Sequence, residues 1–538
     1  MLYGNSVRRE FIKRFAAGAA ITLPALTSHG EAATAGMLEP PAKSPLCYDV
    51  VDFGAVGDAK TLCTASIQKA VDACAKAGGG RVVFPTGKYL TGPIFLKSNI
   101  HVEVPAGAVV LGSIDFERVP SIAGRWEGID RTVYASMFTG LDLENVSITG
   151  RGVIDGQGEA WWKAFRVVSD MRRKLGLEDR EPENPPGSPL RWSRPRMINL
   201  YRCKNVLISG LTVVNSPAWN IHPVLCDNVM IDQVTIRAPA DSPNTDGIDP
   251  DSCRNLRITN CYISVGDDCI TIKSGYKPQQ AGKNIPSENI AVSNCVFARG
   301  HGGVGIGSET SGGVRNVTVS NCVCEGTDRG LRFKTARSRG NVVENFRAVG
   351  VVMRGVGDAI SVTMLYNASD PRTPQPVNEG TPIFRNIHLS DITASDVKRA
   401  ALIEGLPEMP IQGLSISNLV VNGAGTGITC SNVAGMTFDN IVVNAEKGPA
   451  MEVAGARGIE VHRFSDRNPK KDQPVIRFEN VEDGLIQSCP TAVGTGTFLE
   501  LKGADNREIS LITNRLSRAS KEIAFVAGAS ESAVVKRL

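Results

Sequence analysis

Four short elements gather groups able to move protons and hold anions: Asn244-Thr245-Asp246-Gly247, Gly266-Asp267-Asp268, Gly300-His301-Gly302 and Arg332-Phe333-Lys334. Carboxylates crowded together repel when ionised, so at least one is held protonated while its neighbours stay ionised. One group can then donate a proton while another accepts one, the division of labour that acid–base hydrolysis requires. On a strand, alternation sends Arg332 and Lys334 to one face and Phe333 to the other. Opposite three aspartates, two cations suit a substrate carboxylate, with charge-assisted hydrogen bonds contributing about 1.5 to 3 kcal/mol each; alone they read equally as a solvated strand face. His301 between glycines either orients a carboxylate, binds a hydroxyl or is structural. Lys273 shares a face with Asp267 and either touches substrate or remains solvated.

Something must bring these elements together. Asn followed by alternating apolar residues recurs at Asn145, Asn205, Asn228, Asn255, Asn289 and Asn316, with weaker copies from Asn386 and Leu414. The separations fall in the range of roughly 20 to 45 residues typical of solenoid repeats, and every unit is strand-like. The pattern predicts an all-β parallel β-helix, each coil laying short strands about 4.8 Å from those of the coil before. Asp246 and Asp267 lie about one coil apart and should meet on one face. Asp268 shares parity with the apolar Ile270 and Ile272, so a local irregularity is required to expose it. Gly266 is expected to supply that through a bulge or an unusual backbone angle, although Gly-Asp-Asp alone is simply a turn sequence.

Around the repeats, a helix is expected from about Ala65 to Ala77, with Ile67, Ala70, Val71 and Cys74 on one face, ended by Gly78-Gly79-Gly80 and covering the open end of the stack. Residues 168–195, rich in Arg, Glu and Pro, read as an extended surface loop. The expected layout is a signal segment at 1–35, an N-terminal cap and first coils at 36–110, a catalytic β-helix at 111–445, and terminal coils with a cap at 446–538.

Composition narrows the function classes. The 59 basic and 55 acidic residues among 538 leave a net charge of +4, too slight to argue for nucleic acid, whose binders concentrate a basic face. Arg8-Arg9-Glu10-Phe11-Ile12-Lys13 resembles a twin-arginine export signal, followed by an apolar run and a cleavage sequence at Ala33-Thr34-Ala35. That run, interrupted by Pro24, is shorter than the about 20 apolar residues of a membrane span, and the mature chain offers no other candidate. Thirteen cysteines, several in repeated Asn-Cys settings (Cys261, Cys295, Cys322), read as stacked buried thiols, with a Cys63–Cys74 bond the one disulfide left open. No CxxC or His/Cys cluster exists, so neither a zinc site nor any other metal or cofactor is expected.

The four elements, in this order, resemble glycoside hydrolase family 28, the polygalacturonases. The likeness runs from about Tyr48 to about Asn444 and includes Ser216-Pro217-Ala218-Trp219, residues 244–253, Gly305-Ile306-Gly307-Ser308-Glu309 and Gly312-Gly313. The resemblance implies a right-handed parallel β-helix that hydrolyses pectic galacturonan or oligogalacturonides with inversion. It implies Asp267 as general acid, Asp246 and Asp268 as the pair activating water, and His301 as a further active-site group. Arg332 and Lys334 would bind the galacturonate carboxylate, with Asn244, Lys273 and, by its distance after Lys334, Tyr366 also at the substrate. Phe333 stands where the family usually has isoleucine. Inverting enzymes typically hold their carboxyls about 6.5 to 9.5 Å apart, and that spacing is expected here. A monomer is expected. A rhamnogalacturonan or other branched-pectin hydrolase, a calcium-dependent pectate lyase and a non-catalytic polysaccharide-binding β-helix are the alternatives; exo-action is favoured slightly over endo-action by the extra material near Arg125-Trp126-Glu127 and at 168–195.

Overall fold

The computed structural model describes residues 47–177, 183–276, 285–367 and 373–537. The export signal expected at 1–35 lies outside them. The described chain is a right-handed parallel β-helix. One ladder stacks Val146, Val206, Val229, Leu256, Ile290, Val317, Phe346, Ile387 and Leu414 in register through eight successive parallel pairings. All nine are buried, forming one row of the core that fills the coils.

The recurring asparagines have two physical jobs. Asn145, Asn205, Asn228, Asn255, Asn289, Asn316 and Asn345 all adopt φ between 56° and 58°, a left-handed conformation that asparagine tolerates better than most residues. Their side chains also bond from coil to coil, Asn205 Nδ2 to Asn145 Oδ1 at 3.0 Å, Asn228 to Asn205 at 2.9 Å and Asn316 to Asn289 at 3.1 Å. The repeat read in the sequence is therefore a corner at which each coil turns.

Helix α1 (Thr64–Lys76) buries Ile67, Ala70, Val71 and Cys74 against the first strands, as its periodicity predicts. All thirteen cysteines are free thiols and twelve are buried. The Cys63–Cys74 bond is not formed: Cys63 Sγ instead lies 3.1 Å from the carbonyl of Thr61. The 168–195 segment departs from expectation. Residues 159–175 form helix α2 (Glu159–Leu175), closed by Gly176 at φ 65°. Trp161, Ala164 and Val168, spaced for one helical face, pack with Leu190, Val119 and Tyr134. Most charged residues of the helix line its other side, but Arg172 is buried with the apolar face, and this mixture hid the period. Next to it an antiparallel hairpin, Ser121–Trp126 with Ile129–Tyr134, packs Trp126 and Val133 against Ala218 of the coils.

Candidate active site

Another ladder carries the chemistry. Strands Ile198–Tyr201 and Ile221–Val224 pair in parallel, and single bridges Ile221–Ile248 and Ile248–Ile270 continue the face. It then passes through Ile270–Ile272, Val304–Ile306 and Arg329–Lys334. Between these strands the four motifs stack as turns. The carbonyl of Asp268 accepts from Gly247 N at 2.9 Å, and that of Asp267 accepts from His301 N at 2.9 Å.

Asp267 and Asp268 thus lie in the bend between Tyr262–Ser264 and Ile270–Ile272, outside either strand. The parity conflict dissolves because strand alternation does not govern them. Gly266 contributes neither a bulge nor a positive φ; it is glycine because a Cβ there would stand 2.3 Å from the Ser242 carbonyl oxygen. Gly302 is similar: its Cβ would meet Asp268 Oδ1 at 2.8 Å and Arg332 Cδ at 2.9 Å, so its bare backbone leaves room for those side chains to touch.

The structure brings Asp246, Asp267 and Asp268 together, each offering an oxygen within 4.8 Å of the others. These are nearest-oxygen approaches, shorter than the about 6.5 to 9.5 Å expected between whole carboxyl groups. Cations explain the approach. Arg332 Nη1 lies 2.5 Å from Asp268 Oδ1 and Lys334 Nζ 2.7 Å from Asp268 Oδ2, while Lys273 Nζ lies 3.5 Å from Asp246 Oδ2, and opposite charges relieve the repulsion that would part the carboxylates. Phe333 faces the core, fully buried against Phe346, so the alternation of this strand is as expected. His301 Nδ1 is 3.1 Å from Asp267 Oδ1, whose other partner is the backbone N–H of Asp268 at 2.9 Å. The hydrogen bond that the protonated ring donates to Asp267 raises the His301 pKa above its ordinary value. Tyr366 is half-buried beside Lys334, whose Nζ is 5.4 Å from its ring centre. Asn244 Oδ1 accepts a hydrogen bond from Arg194 Nη2 at 2.6 Å.

Burial acts on the two inner aspartates in opposite senses. Burial, reinforced by Asp249 and Asp267, lifts Asp246 well above the carboxylate range. Burial also opposes ionisation of Asp268, but Lys334 and Arg332 together outweigh it and hold that carboxyl far below the range. The raised carboxyl demanded by crowding is therefore Asp246.

Lys273 is not a solvated lysine. Only 4 % exposed, it lies 3.3 Å from Asp249 Oδ1 and 3.6 Å from the ring centre of Trp219. Trp219 stacks on Trp126 at 4.7 Å and 8°, and Trp126 comes from the hairpin, whose tip accepts a hydrogen bond at Gly128 O from Tyr276 N. Beside this stack a cavity of about 120 Å³ is lined by Trp126, Glu127, Trp192, Arg194 and Asn244 among others. Asp249, Trp126, Trp219 and Arg194 were not marked as site residues by sequence reasoning. Asp249 follows Asp246 by one odd step within the 244–253 run, a signal indistinguishable there from a surface acid.

Buried carboxyls on the outer face of a β-helix, neutralised by placed cations and walled by tryptophans, define a carbohydrate-cleaving enzyme rather than a structural solenoid. The sequence profile of Glycosyl hydrolases family 28 matches residues 187–444, and one described as Rhamnogalacturonase A/epimerase, pectate lyase-like matches 47–102. A "Probable polygalacturonase" of Vitis vinifera is 35% identical over 402 residues, covering 72% of this chain and 77% of that protein. An "Endo-polygalacturonase" of Pectobacterium carotovorum subsp. carotovorum is 32% identical, over 64% of this chain and 80% of its own length. The crystal structure of an exopolygalacturonase from Thermotoga maritima superposes with a TM-score of 0.65 at 34% identity, covering 74% of this chain and 93% of that one. The chain belongs to glycoside hydrolase family 28.

Proposed function

We propose that this protein is a polygalacturonase that hydrolyses α-1,4-galacturonosyl linkages of pectic galacturonan with inversion. The observation that carries this reading is the pairing of three clustered aspartates with Arg332 and Lys334 on one face. Asp267, the most accessible of the three carboxyls with 19% of its side chain exposed, donates its proton to the glycosidic oxygen as that bond breaks. Asp246 and Asp268 hold a water, take one of its protons and direct its oxygen to the anomeric carbon. His301 sets the orientation of Asp267. A substrate carboxylate draws Arg332 and Lys334 partly from Asp268, with Tyr366 alongside and Asn244 towards the walled side. Lys273 serves the reaction through Asp246.

The three carboxylates could also collect a cation, but Lys273, Arg332 and Lys334 already neutralise Asp246 and Asp268, so the calcium chemistry of a lyase is not needed. Exo-action is favoured because the hairpin and α2 rise against the site at Trp126 and fill one side of the cleft. Export is proposed from the Arg8-Arg9 motif, and action as a monomer on pectin of the plant cell wall follows the same reading. Among the described residues no helix is long and apolar enough to cross a membrane.

The test is incubation with polygalacturonate and a chelator. Reducing ends without the ultraviolet absorbance of an unsaturated product are expected, released as monomer if the wall closes the cleft. Proton NMR of the first-formed anomer reads the stereochemistry. Absorbance would establish a lyase, activity only on rhamnogalacturonan would transfer the reading to branched pectin, and no cleavage with retained binding would leave a binding module.

A further inference from the structure

Asp249 is wholly buried, and among the described residues neither of its oxygens receives a hydrogen bond. Its partner is the ammonium of Lys273 at 3.3 Å, the same ammonium that lies 3.5 Å from Asp246 Oδ2. Asp246 Oδ1 is likewise without a hydrogen bond. Lys273 cannot drift to satisfy one carboxyl at the expense of the other, because the Trp219 face at 3.6 Å closes its third side and Trp126 backs that ring. A buried carboxyl left this bare is costly unless it answers to a charge.

We propose that Asp249 is a positioning residue of the hydrolysis: by sharing the single buried cation of Lys273 with Asp246, it sets the orientation and the ionisation of the carboxyl that activates water. This rests on the assignment of Asp246 to that role. With both carboxyls ionised, one buried ammonium faces two buried negative charges, so ionisation of either discourages the other. A protonated Asp249 releases Lys273 to Asp246 and favours the ionised base. An ionised Asp249 competes for Lys273 and favours a protonated Asp246. The other charged groups that act on the pair are Asp267 and Asp268 from the neighbouring bend, Glu309, and the buried Arg194 and Arg196. Burial lifts Asp249 to about 7 against the pull of Lys273, which places the exchange inside the working range of a neutral or mildly acidic enzyme.

The direction of the effect separates this role from simple packing. Asp249→Asn keeps the shape but removes the competing charge, so the acidic limb of the kcat/KM–pH profile should move down, on the order of one pH unit. Lys273→Met removes the shared cation and should move the limb up, with a loss of rate, while Lys273→Arg should restore it towards wild type. A structural role would lower kcat or Tm without moving the limb. An unmoved limb in Asp249→Asn, or one that moves up, overturns the proposal. If that variant fails to fold, the Lys273→Met and Lys273→Arg pair decides, with equal limbs in the two counting against it. Asp267→Asn is assayed in parallel: if it stays active, the catalytic assignment itself has failed; if it is inactive while the limbs do not move, only the role of Asp249 has.

Discussion

The two inner aspartates occupy similar burial and opposite charge environments. Asp268 is 2% exposed and holds two cations to itself; Asp246 is 4% exposed and shares one with Asp249. Depth in the protein is common to both, so depth does not choose the protonation state. The ratio of cations to carboxylates does. One coil of the solenoid, a displacement of about 4.8 Å, changes that ratio, and this is how a repeating scaffold produces unlike groups from like residues.

The largest effect belongs to the group standing outside this contrast. Asp267 carries neither cation pair and opens to the cleft, with His301 its side-chain partner. Asp267→Asn should lose at least about 100-fold in kcat, as removal of a general acid does, with an unchanged melting curve. Near-wild-type turnover would return the acid role to Asp246, the carboxyl that burial already raises.

A smaller effect is expected on the cation-rich side. Arg332→Gln leaves Asp268 with Lys334 alone and makes it resemble Asp246. Loss of a charge-assisted contact to substrate worth about 1.5 to 3 kcal/mol corresponds to roughly 10- to 150-fold in kcat/KM. Stability should respond to pH as well. The depressed Asp268 carboxyl stabilises the fold above the ordinary carboxylate range, near 3.8, and that contribution is lost as pH falls through its folded value. In Arg332→Gln the folded value rises towards the ordinary one, so less of this stabilisation exists to lose. Melting temperatures measured from pH 5 down to about pH 2, across and below the ordinary carboxylate value, should therefore show wild type and variant converging. Parallel curves would mean that Lys334 alone depresses Asp268.

What the sequence made legible follows the same division. Period and parity are properties of the repeat: the Asn145 to Asn316 corners, the inward Phe333 and the outward Arg332 and Lys334 could all be read without coordinates, because neighbours along the chain determine them. The α2 face of Trp161, Ala164 and Val168 carried a period too, but charged residues in the same segment obscured it. Asp249 and the Lys273 bridge were not legible. Whether an acid on a turn is buried depends on what lies one coil above and below, and the hairpin that brings Trp126 onto Trp219 starts far away in the chain.

The smallest effect tests how far the cation-rich side depends on the core beneath it. Phe333 sits between Arg332 and Lys334 with its ring against Phe346, centroids 4.6 Å apart at 73°. Phe333→Ile, the residue the family usually has there, removes an edge-to-face pair worth about 0.5 to 1.5 kcal/mol and leaves a small cavity. The strand keeps its register through its pairings with Val304–Ile306 and Asp358–Thr363, so Arg332 and Lys334 keep their reach to Asp268. Tm should fall by a few degrees at constant kcat/KM. If kcat/KM falls instead with Tm, the ring is aiming the two cations, and the contrast between Asp268 and Asp246 is set in the core as well as at the surface of the coil.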